Sequence, residues 1–251
     1  MQINPLSGKT IVVTGSASTT TVMNEIVRLG GQAKFCPLID TKEIIDGNDQ
    51  KYLTDVNQYN WLIFTSKNAV EAFCKKMNRL GLKSSQIQAK IAAVGAKTAE
   101  LLEDNDLSVS FMPSVYSADV FVKEFPIIAG EQPKCLFVRG NRAKDTLKNG
   151  LPFAIKEWTV YETRENFTSI KPLIELVHST TNLIIIFASP SAVDVYAKHI
   201  ATDVGWEQVE FASIGHITAA AIKDYGAEVT YMPKEYTMKA VIEEITKRED
   251  A

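Results

Sequence analysis

Short runs rich in Val, Ile and Phe alternate along the chain with longer segments in which apolar residues recur at helical spacing. This alternation is typical of parallel strands joined by crossover helices. We therefore predict strands, each followed by a helix, near residues 10–14, 33–38, 60–65, 90–94, 109–112, 134–138, 154–161, 183–188, 210–214 and 228–232. Five such units in each half indicate two flavodoxin-like, doubly wound parallel sheets of the α/β class.

The two halves of the chain repeat one plan, with shifts of about 120 residues. Five pairs of segments carry the repeat: KTIVVTG (9–15) with KCLFVRG (134–140), PLIDTKE (37–43) with TVYETRE (159–165), FTSKNAVEAF (64–73) with FASPSAVDVY (187–196), AAVGAKTAELLE (92–103) with ASIGHITAAAIK (212–223), and MPSVYS (112–117) with MPKEYT (232–237). In parallel sheets ligands collect beyond the carboxyl ends of strands, so the polar residues at repeated strand–helix joints are candidate binding residues.

The first joint places four polar residues, Thr65, Ser66, Lys67 and Asn68, directly after a predicted strand. Ser66 is suited to cap a helix beginning at Lys67. The same free amides and the helix dipole favour an anion, and Lys67 adds a full charge. Both interpretations remain open for this joint.

The second copy of the joint carries Ser189 and Ser191, with Pro190 between them. Proline suits a first helical position because that amide needs no partner, so we predict a helix beginning at Pro190. Ser189 and Ser191 are therefore either caps or anion ligands, as in the first copy.

Two glycine–threonine pairs occupy the next joints: Gly95 with Thr98, and Gly215 with Thr218. The glycines allow close approach to the backbone, and each threonine falls in the first turn of a helix, where it can cap or bind. By contrast, Ser117 and Thr237 precede amphipathic runs, and we interpret them as plain helix caps.

The composition is ordinary for a globular protein, with 45% hydrophobic and 23% charged residues in 251 positions, enough for two domains. A net charge of −3 argues against a nucleic-acid surface. Three widely spaced cysteines favour a reducing compartment, and the longest apolar run, LIIIFA, is too short to cross a bilayer. We expect a cytoplasmic protein with neither a nucleic-acid nor a membrane partner.

Several catalytic and cofactor classes lack support in the sequence. The three histidines, His178, His199 and His216, have no spacing typical of a zinc site or a hydrolase triad. Neither G-x-G-x-x-G after a strand nor G-x-x-x-x-G-K-[ST] occurs, so nucleotide binding has no motif to support it.

Taken in order, FTSKNAVEAF, TVYET (159–163), FASPSAVDVY and SIGHITAAAI (213–222) resemble the signature segments of the uroporphyrinogen-III synthase family, over essentially the whole chain. The resemblance implies an enzyme that closes the linear tetrapyrrole hydroxymethylbilane to uroporphyrinogen III with inversion of ring D and needs no cofactor. A non-catalytic two-domain protein that binds or senses an anionic tetrapyrrole-like ligand is the alternative.

The resemblance also implies a swapped domain arrangement. One domain would comprise residues 1–37 and 163–251, and the other residues 41–160, with residues 38–41 and 159–162 forming a two-stranded linker that acts as a hinge. It further implies a monomer, with transient contact to the preceding pathway enzyme as a possible partner interaction.

Site residues follow from the same resemblance. Tyr161 matches the tyrosine that assists loss of the substrate hydroxyl; an aromatic that only stiffens the hinge is the alternative. The substrate is rich in carboxylates, for which the repeated helix starts are suitable partners. Arg139, Gly140 and Lys144 in RGNRAKDTL (139–147) are further binding candidates, although Lys144 stands where the family usually has arginine, and a solvated charge cluster is equally consistent.

Overall fold

The computed structural model describes residues 4–15 and 20–249. Its contacts divide the chain into two compact units, of which unit 1 comprises Met1–Asp40 and Arg164–Ala251 and unit 2 comprises Thr41–Thr163. Each unit is an α/β structure with helices on both faces of a sheet whose central strands are parallel.

The sheet of unit 1 has the strand order β10-β9-β1-β2. Its strands, all parallel, are β1 (Thr10–Val13), β2 (Gln32–Phe35), β9 (Leu183–Phe187) and β10 (Glu210–Ser213). Read from β2 and counted within the unit, this order is 2-1-3-4, the start of the flavodoxin-like order.

The strand predicted near 228–232 is wrong, because only Tyr231 pairs with the sheet, through one parallel bridge to Ala212. The amides of Thr230 and Tyr231 both donate to the Phe211 carbonyl, at 2.8 and 3.2 Å, so the regular ladder breaks there. Pro233 then follows, and its missing N–H prevents the ladder from resuming.

The second sheet has six strands in the order β3-β8-β7-β4-β5-β6. They are β3 (Ile39–Glu43), β4 (Trp61–Phe64), β5 (Lys90–Ala93), β6 (Val109–Phe111), β7 (Cys135–Gly140) and β8 (Ile155–Glu165). Strand β3 follows β2 directly, so the prediction that every strand is followed by a helix is wrong at this point. Of residues 159–162, predicted as linker, Thr159 and Tyr161 pair with β7 inside this sheet.

The helices begin near the predicted caps. They are α1 (Thr20–Arg28), α2 (Asn48–Thr54), α3 (Lys67–Arg79), α4 (Ala96–Glu103), α5 (Ala118–Ala129), α6 (Thr146–Gly150), α7 (Ile170–Ser179), α8 (Pro190–His199), α9 (Ala201–Val204), α10 (His216–Asp224) and α11 (Met238–Glu249). Ser117 and Thr237 are confirmed as caps, since their hydroxyl oxygens accept from the amides of Val120 and Ala240 at 3.2 and 3.1 Å.

Each sheet separates two apolar cores, which explains the uninterrupted apolar run of β9. Leu183, Ile185 and Phe187 lie in one core of unit 1, and Ile184 and Ile186 lie in the other. All five are buried, as expected for a central strand of a parallel sheet.

A buried ion cluster fixes helix α3 in unit 2. The Lys76 side chain is fully buried, and its Nζ lies 2.8 Å from Asp49 and 3.3 Å from Glu43 and also donates to the Ile44 carbonyl. Arg79 contacts the same two carboxylates at 3.0 and 2.8 Å. Burial opposes ionisation of Glu43, but hydrogen bonds from Arg79 and Lys76 outweigh it and lower the pKa of its carboxyl.

Candidate active site

Unit 2 has a topological switch point between β4 and β7. From β4 the chain moves to β5 and β6 on one side and then returns to β7 on the other side of β4. Ligands in such sheets bind beyond the carboxyl ends of the strands at this position. The residues that follow the two strand ends are Thr65 and Ser66 after β4, and Asn141 after β7.

Ser66 caps helix α3 as predicted. Its Oγ accepts a hydrogen bond from the Ala69 amide at 3.3 Å, and its backbone is extended. The amides of Lys67 and Asn68 precede the first intrahelical bond, and both side chains are exposed, whereas Thr65 is half-buried. This helix start therefore presents N–H donors and one ammonium group together.

The same Ser66 hydroxyl lies 3.1 Å from the hydroxyl of Tyr161, and the hydrogen bond can run in either direction. Because Ser66 Oγ accepts from the Ala69 amide, its own proton is available for Tyr161. Tyr161 can then donate its proton to a third group. The sequence placed these two residues in separate motifs, and the structure brings them together.

Tyr161 reaches this helix start because β8 contains a β-bulge. Arg139 pairs with Thr159 but Gly140 pairs with Tyr161, so one residue of β8 has no partner in β7. Strict alternation would place Tyr161 on the sheet face opposite to Val160, yet both pack in the same core, which α3 covers. The bulge turns the strand and brings the tyrosine ring to the α3 face.

Gly140 and Asn141 lie against Tyr161. A Cβ at Gly140 would lie 2.6 Å from the Tyr161 hydroxyl oxygen, so only glycine leaves room for the ring. The Asn141 amide donates to the Tyr161 carbonyl at 3.1 Å, and the Asn141 side chain bonds Thr163. Sequence reasoning missed Asn141, because nothing in its spacing distinguishes it from a turn asparagine.

Arg139 is 8% exposed and has partners within unit 2. Its guanidinium contacts Asp145 at 3.1 Å, Glu157 and the Ala143 carbonyl. A substrate carboxylate would have to compete with these groups. Lys144, the other basic candidate of this loop, is exposed, as is Arg142.

At the next joint of unit 2, Gly95 precedes helix α4 and Thr98 lies in its first turn, as predicted. A Cβ at Gly95 would meet nothing within 4 Å, so this helix start is open. Thr98 is only 5% exposed, and its side chain therefore belongs to the interior rather than to the surface of the joint.

The equivalent serine joint of unit 1 has a different hydrogen-bonding state. Ser189 precedes helix α8, which begins at Pro190 as predicted, but Ser189 makes no side-chain cap bond. Its Oγ is buried and has no partner among the described residues. Pro190 supplies no N–H, so the Ser191 amide is the first available donor, and the Ser191 side chain is half-buried.

At the equivalent glycine joint of unit 1, the Tyr236 ring occupies the space next to Gly215. A Cβ at Gly215 would lie 2.8 Å from the Tyr236 ring, whose hydroxyl lies 2.9 Å from His216 Nδ1. His216 is exposed, whereas Thr218 is 3% exposed and lies in the interior.

Other reactive groups lie away from these joints. Burial raises the pKa of Cys74 to about 11 and of Cys135 to about 12, which makes them poor nucleophiles. Among the described residues no group of three or more His, Cys, Asp or Glu side chains is placed to hold a metal ion. Within residues 4–15 and 20–249, no helix has the length and apolar character needed to cross a membrane.

Comparison with solved structures shows the same fold in other proteins. A mutant uroporphyrinogen III synthase from the extremely thermophilic bacterium Thermus thermophilus superposes with a TM-score of 0.74 at 16% identity, covering 96% of this chain and 98% of that one. The uroporphyrinogen-III synthetase of Helicobacter pylori gives a TM-score of 0.63 at 21% identity, covering 94% and 97% of the two chains.

Comparison of sequences gives relatives of one family. A uroporphyrinogen-III synthase from Synechococcus elongatus is 28% identical over 260 residues, covering 96% of each chain. The porphyrin biosynthesis protein HemD of Ruminiclostridium josui is 27% identical over 251 residues, and this chain spans 49% of that relative's length. The family model for uroporphyrinogen-III synthase HemD matches residues 21–243, and the chain therefore belongs to the uroporphyrinogen-III synthase family.

Proposed function

We propose that the Ser66–Tyr161 pair of unit 2 assists loss of the substrate hydroxyl during cyclisation of hydroxymethylbilane to uroporphyrinogen III. The chain is a lyase of porphyrin biosynthesis by its family. The observation that carries the residue assignment is the 3.1 Å contact between the two hydroxyl oxygens at the switch point of unit 2.

The first chemical task is departure of the terminal hydroxyl as water, which leaves an electrophilic azafulvene. The Ala69 amide donates to Ser66, Ser66 donates to Tyr161, and Tyr161 donates its proton or hydrogen bond to the departing oxygen. Each donation in such a chain polarises the next donor and strengthens it. The positive end of the α3 dipole acts in the same direction.

The second task is control of ring closure. The azafulvene carbon is attacked by the substituted carbon of ring D, giving a spiro intermediate that fragments and recloses with ring D inverted. Closure without the enzyme gives the uninverted isomer I, so the protein must hold the chain of rings in the productive conformation. Bringing reacting carbons into contact is a large catalytic contribution in itself.

Carboxylates of the substrate provide the points by which it is held. In unit 2 we assign this role to the helix starts at Thr65–Asn68 and Gly95, with Lys144 as an exposed ammonium. In unit 1 the corresponding groups are the Ser189 and Ser191 hydroxyls and the start of α10 at Gly215. Thr98 and Thr218 support these helix starts from the interior.

The proposal also covers the oligomeric state, the compartment and the partner of the protein. Its free cysteines and its acidic composition fit a monomer in the cytoplasm that receives an unstable substrate from the preceding enzyme through a transient contact. A purely ligand-binding role has no observation in its favour beyond the fold, whereas the family supports the enzyme.

The test is an assay of the full chain with enzymatically generated hydroxymethylbilane, in which isomers I and III are separated by chromatography. The proposal expects isomer III as the main product, formed faster than the spontaneous isomer I. Formation of isomer I alone, at the rate seen without protein, would contradict it.

A further inference from the structure

We propose that Asn141, locked in place by Arg139, is a positioning residue that fixes the Tyr161 hydroxyl against Ser66. The inference rests on the proposed function, and it gives Arg139 a structural task in place of substrate binding. Neither side chain touches the substrate in this scheme: Asn141 bonds the backbone of the segment 161–163, and Arg139 holds the loop that carries Asn141.

The Asn141 residue continues the pairing of β7 with β8 past the end of β7. Its backbone amide donates to the Tyr161 carbonyl at 3.1 Å. Its side-chain oxygen accepts from the Thr163 amide at 2.9 Å, and its side-chain nitrogen donates to the Thr163 carbonyl at 3.4 Å. One residue thereby holds both ends of the segment 161–163, as a further strand residue would.

This extra pairing is needed because of the bulge. A bulge leaves one residue unpaired and weakens the ladder locally, and the unmatched residue of β8 lies immediately before Tyr161. Without the Asn141 side chain, β8 would be held to the β7 side beyond the bulge only by the Gly140–Tyr161 pair and the Asn141 backbone amide. The tyrosine ring could then move away from Ser66 without breaking the core.

Arg139 holds the loop that carries Asn141. Its guanidinium bonds Asp145 at 3.1 Å and the Ala143 carbonyl, both within the loop that follows β7. It also bonds Glu157 on β8, which links the loop to the strand it serves. Because the guanidinium is almost entirely buried, these bonds are shielded from water and hold the loop in one conformation.

The main test compares Asn141→Ala with Asn149→Ala in the full chain. Asn149 is an exposed asparagine at the end of α6, and its side chain makes no hydrogen bond within unit 2. We expect Asn141→Ala to lower kcat about tenfold with KM within about twofold, as for loss of alignment in the transition state. It should also raise the fraction of isomer I, whereas Asn149→Ala should match the parent in both.

Coupling to Tyr161 distinguishes positioning from general loosening of the fold. In a Tyr161→Phe background, Asn141→Ala should lower kcat by less than about twofold, because the hydroxyl it positions is already gone. Asn141→Asp keeps the acceptor for the Thr163 amide and should recover part of the activity. If the effects of Asn141→Ala and Tyr161→Phe on kcat were additive, the inference would be overturned. The same holds if Asn141→Ala and Asn149→Ala gave equal kcat and isomer fractions.

A structural readout separates this inference from the proposed function. With 3-fluorotyrosine at position 161, the parent should give one narrow fluorine resonance, and both Asn141→Ala and Arg139→Met should broaden or split it. If Tyr161→Phe is fully active, Tyr161 has no catalytic role and the proposed function fails. The fluorine resonance still shows whether Asn141 positions the tyrosine ring. An unchanged resonance in Asn141→Ala would overturn the inference even if the proposed function holds.

Discussion

The two serine joints have related sequences but different partners. In unit 2, Ser66 accepts from the Ala69 amide and bonds the Tyr161 hydroxyl, so its hydrogen-bonding capacity is used inside the unit. In unit 1, Ser189 occupies the equivalent position with a buried hydroxyl that has no partner among the described residues. The repeat therefore keeps the strand–helix joint in both units, with a serine hydroxyl that is fully bonded in one copy and a buried, unpartnered one in the other.

The two repeats also differ in the ion pairs made by a glutamate at one equivalent position, which we call the anchor of each unit. Glu43 in unit 2 and Glu165 in unit 1 occupy equivalent positions of the repeat. Glu43 contacts the fully buried Lys76 at 3.3 Å, whereas Glu165 contacts the half-buried His199 at 2.7 Å. Arg79 also bonds Glu43 at 2.8 Å, and the exposed Lys198 also bonds Glu165 at 3.2 Å, so the anchor of unit 2 includes a fully buried cation and that of unit 1 does not.

The largest expected effect concerns these anchors. Lys76→Ala leaves the buried Asp49 and the half-buried Glu43 with Arg79 as their only cation among the described residues, and breaking a buried pair in this way typically costs about 3–5 kcal/mol. His199→Ala removes a partly exposed pair and should cost about 1 kcal/mol or less. Urea unfolding of both variants measures the difference. Equal losses of unfolding free energy in Lys76→Ala and His199→Ala would contradict the difference between the two anchors.

A second contrast compares glycines at the joints. Gly140→Ala forces the Tyr161 ring away from Ser66, and a displacement of about 1 Å at a reacting group can cost about 100-fold in rate. Gly95→Ala adds a methyl group that meets no protein atom within 4 Å but lies at a helix start assigned to a substrate carboxylate, so KM should rise while kcat stays within about twofold of the parent. Steady-state kinetics on folded, monodisperse protein checks both. A fully active Gly140→Ala would contradict the placement of Tyr161.

The serines themselves give a smaller contrast. Ser66→Ala removes a helix cap and should lower the free energy of unfolding by about 1 kcal/mol. Ser189→Ala removes a hydroxyl that makes no bond among the described residues, so its unfolding free energy should stay within about 0.5 kcal/mol of the parent. Because the proposed function gives Ser189 a substrate contact, the KM of Ser189→Ala should nevertheless rise. An unchanged KM would remove Ser189 from the site.

The smallest effect is a pH dependence of unit 1. The hydrogen bond from His199 lowers the pKa of the Glu165 carboxyl below its ordinary value of 4.5. A carboxyl whose pKa is lower in the folded protein than in the unfolded chain stabilises the fold at pH values above its pKa in the unfolded chain. This contribution is lost as the pH falls through the pKa of the folded state. The stability difference between the parent and Glu165→Gln should therefore be constant from about pH 5 to 6 and shrink below about pH 4. A difference that does not change with acidification would contradict this assignment.

The sequence predicted nine of the ten strands it proposed, the caps at Ser66 and Ser117 and the helix start at Pro190, because these depend on local pattern and backbone chemistry. It did not predict the bulge at Tyr161, since a one-residue shift in strand pairing leaves no trace in alternation along a single strand. Nor did it distinguish the buried Lys76 from its neighbour Lys75 on α3, which is not buried. The partners of Lys76 and of Arg139 come from distant segments, so their burial is a tertiary property.

The central claim is that the Tyr161 hydroxyl, held by Ser66, assists loss of the substrate hydroxyl. Its most direct test is the turnover and isomer ratio of Tyr161→Phe, which removes one oxygen and leaves the ring in place. The account predicts that kcat falls by about tenfold or more, with a larger share of isomer I. Parent-like turnover with a parent-like isomer ratio would contradict it.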